Sequence, residues 1–427
     1  MTSNRLPSFD PAQIQAQLEQ VRAGAAQLRK AGTEEKNSVL GALRDWLGKN
    51  VGALLAANQR DLERAEGVTQ AFKDRLTLTE KRIDSMRLSL EQVQRLADPV
   101  GEVAEQRVLA NGLAVERVRA PLGVIYMIYE SRPNVAIEAF GMALKSGNGL
   151  ILRGGKESQE TVALLYSGIR ETLQQSEFNS LPFLGITDPD RELSKWLLKQ
   201  RRWIDVVVPR GGDQLIEFVT SNSQIPMIKN DRGLCHTYLH QGAHFGMAEQ
   251  LVENAKTQRP GVCNALETLL VDRAIAENIL PRVYDRLASH SVKWWGCQET
   301  LRILKGRPAV LPATQESFDR EYLDLELSCK VVEGFEEALA HIQRHGSGHS
   351  EVIVTEDQEM AERFLTEVDA AATYWNASSR FTDGMELGLG GELGISTQKL
   401  HVRGPVGLRE LTSLRWLIRG KGQIREG

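Results

Sequence analysis

Gly123–Leu152 runs GVIYMIYESRPNVAIEAFGMALKSGNGLIL. Its opening GVIYMI is an unbroken apolar run followed by turn-forming residues, which reads as a buried strand rather than a helix. Val135 to Lys145 then spaces its apolar residues for a helix, and GLIL, Gly149 to Leu152, is a second short apolar run. Strand, helix and strand in close succession imply a parallel sheet with helices on its faces. Outward from this stretch the alternation continues, with a helix near Glu160 to Gln174 and the strand DVVV from Asp205 to Val208. A second region of the same kind contains ETLLV (Glu267 to Val271), VIVT (Val352 to Thr355) and ATYW (Ala372 to Trp375). The fold class is therefore α/β.

Upstream, Asp10 offers a helix cap with Pro11 at the first helical position, followed by Ile14, Leu18, Val21, Ala25 and Leu28 at helical spacing and Gly32 as a stop. A second helix through Val39, Leu40, Leu43 and Leu47 follows, and the Glu/Gln/Arg-rich pattern continues to about Gln94. Between Arg107 and Arg119 apolar and polar residues alternate around Asn111-Gly112, the signal of a β-hairpin and a candidate projecting arm.

A chain of 427 residues exceeds one ordinary domain, and domain borders are expected near 255 and 385. Lys and Arg number 52 against 56 Asp and Glu, a net charge of −4. Such a balance gives no general attraction to nucleic acid or anionic membrane and favours small-molecule partners. The opening MTSNRLPSFDPAQ lacks the basic start and apolar core of a secretory signal, and no run approaches the ~18 apolar residues of a membrane span, so a cytoplasmic protein is expected.

The turn Arg153-Gly154-Gly155-Lys156-Glu157-Ser158 lies between a strand and a helix, where nucleotide phosphates dock on α/β sheets. It is not a P-loop, because that spacing needs Gly at Leu150 and Ser or Thr at Glu157. A second turn of the kind, Pro209-Arg210-Gly211-Gly212, follows DVVV; a plain strand-to-helix connection is the alternative for either. Neither forms GxGxxG.

His236, His240 and His244 recur every four residues, as do His341, His345 and His349. Gly346 and Gly348 break any helix through the second set, and the first lies in a strand-like segment, so no metal site is expected. Four cysteines stand far apart, at 235, 263, 297 and 329, with no CxxC pair. Cys263, in Thr257-Gln258-Arg259-Pro260-Gly261-Val262-Cys263-Asn264, is displayed on a loop between a helix (Met247 to Lys256) and ETLLV. If such a thiol lies within an anion-binding, electropositive pocket, its pKa falls and the thiolate becomes a nucleophile.

Across nearly its whole length the chain resembles the gamma-glutamyl phosphate reductases of the aldehyde dehydrogenase superfamily. The resemblance rests on APLGVI from Ala120, ESRPN from Glu130, LRGGKES from Leu152, AKTQRPGVCNALETLLV from Ala255, HGSGHSEVIVTED from His345, NASSRFTDG from Asn376 and LGISTQKLHVRGP from Leu393. It implies an aldehyde dehydrogenase-like fold: a Rossmann-type NADPH-binding domain at 1–255 with an oligomerisation hairpin at about 105–121, a catalytic domain at 256–385, and a C-terminal return segment with an oligomerisation strand near Leu414 to Ile418, at 386–427. It implies reduction of gamma-glutamyl phosphate by NADPH to glutamate-5-semialdehyde and phosphate, in proline biosynthesis, with Cys263 carrying the acyl group as a thioester.

The same resemblance suggests the remaining roles. Arg132 matches the oxyanion-stabilising asparagine of relatives, with Asn134 beside it, and Glu321 matches the residue that holds the nicotinamide ribose. Lys156 replaces a ribose-binding glutamate of NAD-preferring relatives, so NADPH is expected, with Arg153, Gly154, Gly155, Arg210, Gly211 and Gly212 in the cofactor site. Arg259, Ser379, Arg380 and His401 are substrate-binding candidates. Asn230 stands where hydrolytic relatives carry a general-base glutamate, with Asp231 as a substitute, which favours a reductase over a hydrolytic semialdehyde dehydrogenase. A homo-oligomer is implied, and glutamate 5-kinase is the partner the labile acyl phosphate raises; a silent scaffold for that kinase is the competing non-catalytic reading.

Overall fold

The computed structural model describes residues 9–65, 67, 70–130, 132–178, 181–229 and 232–425. Asn230 and Asp231, expected at the general-base position, lie outside the described residues. The Asp10-Pro11 pair starts a helix, Pro11–Leu28, in which the Asp10 carboxylate accepts from Ala12 N at 2.9 Å. Gly32 does not stop it. Lys30 and Ala31 already close the last turn on the Gln27 and Leu28 carbonyls, and Gly32 is instead the extended N-cap of the next helix, Thr33–Lys49, where the Glu35 carboxylate takes its N–H. Helices Val51–Arg64, Gln70–Leu76 and Glu80–Arg95 complete the helical beginning.

Two compact units follow from the packing: residues 1–229 with 388–394 and 406–427, and residues 230–387 with 395–405. The first border is therefore not at 255. Residues 230–255 supply the strand Cys235–Leu239, whose backbone pairs on both sides with strands of the second unit, Leu266–Asp272 and Ser350–Val354. Residues 386–427 likewise do not travel as one piece, because the strand pair Ile395–Ser396 and Gly404–Pro405 belongs to the second unit.

The first unit holds a four-stranded parallel sheet in the order Phe183–Ile186, Gly149–Arg153, Val124–Tyr129, Val206–Arg210. Val124–Tyr129 is buried at every position, as its unbroken apolar sequence requires of a central strand covered on both faces. The chain steps outward to Gly149–Arg153 and Phe183–Ile186, then returns to the other side of Val124–Tyr129. This reversal makes the carboxyl ends of Val124–Tyr129 and Val206–Arg210 the switch point of the sheet, the position at which such sheets take ligands. A separate antiparallel sheet joins Val103–Val108, Ala114–Pro121 and Thr412–Arg419, with Gly112 at φ 82° in the hairpin turn.

The second unit is built on seven parallel strands in the order Val310–Pro312, Lys293–Gly296, Glu326–Val332, Leu266–Asp272, Cys235–Leu239, Ser350–Val354, Ala372–Trp375. Helix Phe245–Thr257 packs Ala248, Val252 and Ala255 into the core beside Leu269 and Val271. It thereby fixes the start of the Cys263 loop.

Candidate active site

In the first unit the sequence candidates converge on one edge. Arg132 and Asn134 follow Val124–Tyr129, Arg153 to Lys156 follow Gly149–Arg153, and Arg210 to Gly212 follow Val206–Arg210, all at carboxyl ends of the sheet. Gly211 has no room for a side chain, since a Cβ there would lie 2.5 Å from the Glu130 carboxyl carbon. Glu130 itself accepts from Gly212 N at 2.9 Å and donates its own N–H to the Arg210 carbonyl at 3.1 Å. Its carboxylate thus occupies the N-cap amide in front of helix Asp213–Asn222. Among the described residues, the buried Nη1 of Arg210 has no hydrogen-bond partner, which leaves a cationic donor at this edge.

Gly154 packs on Tyr129, where a Cβ would come within 3.1 Å of the phenol oxygen. Arg153 reaches sideways instead, donating to the carbonyls of Pro189 at 2.6 Å and Asp190 at 3.3 Å. Lys156 is exposed in a short 3₁₀ turn, and the Asn134 amide donates to Glu138 of its own helix at 2.8 Å.

In the second unit the chemistry gathers at the opposite kind of edge, where strands begin. Cys263 lies in a turn just before Leu266–Asp272, half-buried, and its carbonyl accepts from the buried Cys235 thiol at 3.1 Å. Gly233 closes on the same carbonyl so tightly that a Cβ would sit 1.6 Å from the Cys263 oxygen. Downstream, the Asn264 side chain donates to the Thr382 carbonyl at 2.8 Å and the Arg380 carbonyl at 3.3 Å, and Ser379 Oγ donates to the Asn264 carbonyl at 2.7 Å. The nucleophile candidate is therefore carried on a rigidly tied backbone.

Arg259, Arg380, Ser379 and Glu321 are brought to this loop. Arg380 donates to Gln258 Oε1 at 2.9 Å; burial and then the neighbouring Arg259 guanidinium pull its pKa below the ordinary value, while Asp383 and the Cys263 thiol favour its charge. Burial, and then the charges of Glu351 and Cys263, push the Cys235 thiol well up, which keeps it a neutral donor. Glu321 Oε1 accepts from Gly233 N at 2.8 Å. His401 is exposed, at φ 69°, in the turn between Ile395–Ser396 and Gly404–Pro405, near Lys399 and Arg403, which both pair with Asp369.

His236 and His240 serve the interior. His236 Nδ1 meets Glu351 Oε2 at 2.9 Å in a fully buried pair, and His240 Nδ1 meets Thr355 Oγ1 at 2.9 Å. Among the described residues no group of three or more His, Cys, Asp or Glu side chains is placed to hold a metal ion, and no helix is long and apolar enough to cross a membrane. Glu130, Gly233 and Cys235 touch the candidate residues and were missed as candidates by sequence reasoning: each is defined by a long-range partner, and only a glycine preceding a strand hinted at Gly233.

Two parallel sheets, with phosphate-type turns on one and a tethered cysteine turn on the other, define an aldehyde dehydrogenase-like α/β enzyme. Consistent with that class, an acetylating aldehyde dehydrogenase from Geobacillus thermoglucosidasius shares the fold at a TM-score of 0.71 and 17% identity, over 97% of this chain and 98% of that one. A gamma-glutamyl phosphate reductase from Nitratiruptor is 46% identical over 411 residues, 96% of this chain and 99% of that protein. The crystal structure of the Thermotoga maritima gamma-glutamyl phosphate reductase is similar at a TM-score of 0.93 and 43% identity, over 97% of this chain and 100% of that one. No protein-family model matches the chain. The chain belongs to the gamma-glutamyl phosphate reductase family. It is an oxidoreductase acting on an aldehyde or acyl phosphate.

Proposed function

We propose that the enzyme reduces gamma-glutamyl phosphate to glutamate-5-semialdehyde and phosphate with NADPH, through a thioester on Cys263, as a cytoplasmic step of proline biosynthesis. The observation that carries this is the Cys263 turn, whose carbonyl is gripped by Gly233 and Cys235 beside the Arg259–Arg380 cations. In the first step the Cys263 thiolate forms an S–C bond to the acyl carbon while the C–O bond to phosphate breaks and phosphate leaves with its electron pair. When bound, NADPH supplies the hydride that reduces the thioester. Collapse of the Cys263 thiohemiacetal then breaks the S–C bond, releases the aldehyde and restores the thiolate. Arg132 is assigned to the developing oxyanion, where a fixed cation suits the charge better than an amide does. Ser379 and the Arg259–Arg380 pair are assigned to the substrate's polar groups; His401, on its exposed turn, is the weaker member of that set.

The first unit's residues fit a dinucleotide phosphate at the carboxyl edge. Arg210 offers a buried donor and Gly212 leaves its backbone open to close approach, with Gly154, Gly155 and Gly211 assigned to the same site, while Glu130 must release Gly212 for an anion to take that amide. Arg153 is committed to loop carbonyls, so Lys156 is the cation assigned to a 2′-phosphate. Lys156→Glu is expected to lower kcat/KM for NADPH by about tenfold more than for NADH, with the gap narrowing at high salt. Specificity constants for both cofactors check this, and an unchanged ratio removes Lys156 from the site.

A second copy of the chain is assigned to the three-stranded sheet, where Val108, Trp416 and Ile418 are exposed and Thr412–Arg419 is an edge strand. Glutamate 5-kinase is proposed as the source of the labile acyl phosphate. The deciding assay runs the reaction backwards, as semialdehyde-dependent NADP reduction with and without phosphate. Strict phosphate dependence is expected; equal rates without phosphate would identify a hydrolytic dehydrogenase.

A further inference from the structure

Lys256 and Glu267 form a fully buried ion pair that none of the acyl-transfer steps uses. Lys256 Nζ donates to Glu267 Oε2 at 3.2 Å and to the Leu266 carbonyl at 2.8 Å. From the other side, Glu267 accepts from the backbone N–H groups of Tyr322 at 3.2 Å and Leu323 at 3.3 Å. A buried charge pair is weak as a source of stability, so its persistence calls for another reason. The bonds it makes to the backbone supply one.

Tyr322 and Leu323 directly follow Glu321, and Leu323 adopts φ 54°, a left-handed conformation disfavoured for a branched side chain. Such a conformer persists where surrounding bonds over-determine it, which the Glu267 carboxylate does here. The turn also lies against the nucleophile loop, since a Cβ on Gly261 would be 3.5 Å from the Leu323 carbonyl. Glu321 in turn holds the amide of Gly233, the residue pressed on the Cys263 carbonyl. Burial pushes the Glu267 pKa up to about 7, against the pull of Lys256 and the two amides; with donors alone around it, the geometry holds the carboxylate form.

We propose that the Lys256–Glu267 pair is a positioning device that sets the 321–323 turn against the Cys263 loop, and so aims Glu321 at the cofactor. This rests on the assignment of Glu321 to the nicotinamide ribose. Glu267→Gln places an amide N–H2 among donors, and is expected to raise the KM for NADPH about tenfold, as loss of a charged hydrogen bond does. The rate of Cys263 alkylation by iodoacetamide should stay within about twofold of wild type. Because removing one member of a buried pair is strongly destabilising, Lys256→Met/Glu267→Gln is the second variant, leaving no uncompensated charge but still lacking the carboxylate.

A double-mutant cycle with Glu321→Ala separates positioning from general loosening. If the pair acts through Glu321, Glu267→Gln adds little to the KM effect of Glu321→Ala. Full additivity of the two, or a fall in kcat and alkylation with KM unmoved, overturns the positioning role alone. A Glu321→Ala variant with unchanged KM for NADPH overturns both that role and the ribose assignment beneath it.

Discussion

Cys263→Ala is expected to abolish turnover while leaving NADPH binding at wild-type strength, because only the covalent carrier of the acyl group is removed. Cys263→Ser should be nearly as poor, since an alcohol lacks the thiolate that an electropositive turn stabilises. Turnover measured beside a fluorescence titration with NADPH checks both halves. Near-normal reductase activity in the alanine variant would remove Cys263 from the mechanism. Cys329 is the natural control: it is fully buried, and burial pushes its thiol far up, so its replacement should lower the melting temperature rather than the chemical rate.

Gly233→Ala is the second large effect. A methyl group there would meet the Cys263 oxygen at 1.6 Å, its carbonyl carbon at 2.4 Å and its Cα at 2.7 Å. All three are backbone atoms, so no rotamer change relieves the clash and the Cys263 turn itself must move. Displacing a reacting group by about 1 Å costs roughly a hundredfold, and this substitution demands more, so kcat should fall by more than about a hundredfold. NADPH binding should survive. A kcat within about twofold of wild type, in a variant that melts cooperatively, would show that the grip on Cys263 has no part in catalysis.

What could be read from the chain follows from how local each signal is. Val124–Tyr129 was legible because a strand buried on both faces reads as an unbroken apolar run, and Leu266–Asp272 through its Leu269-Leu270-Val271 centre, despite the buried Glu267, Thr268 and Asp272. Phe183–Ile186, Lys293–Gly296 and Val310–Pro312 went unrecognised because runs of four, four and three residues carry too little periodicity. Glu326–Val332 was masked by Ser328 and Lys330, polar residues inside a largely buried strand. The Cys263 loop stood out through its flanking helix and strand, yet the thiol that steadies it, Cys235, is 28 residues away. Glu130 and Glu267 were invisible for the same reason, since their partners lie 82 residues distant on Gly212 and 55 on Tyr322. The Cys263 turn precedes its strand, as the order of helix, loop and ETLLV implied, at the end opposite the carboxyl ends where parallel sheets commonly take ligands.

The strand Thr412–Arg419 completes the sheet begun by Val103–Val108 and Ala114–Pro121, and Arg119 bonds to Thr412 across 293 residues of intervening chain. During synthesis at ~10 residues per second, the Ala114–Pro121 edge therefore waits about half a minute for its neighbour. An uncovered edge bearing Val115 and Val118 is a template for pairing with another nascent chain through that interval. Shortening the protein from its C-terminal end by as little as this one strand would make the exposure permanent, and insolubility would follow before any loss of catalytic residues.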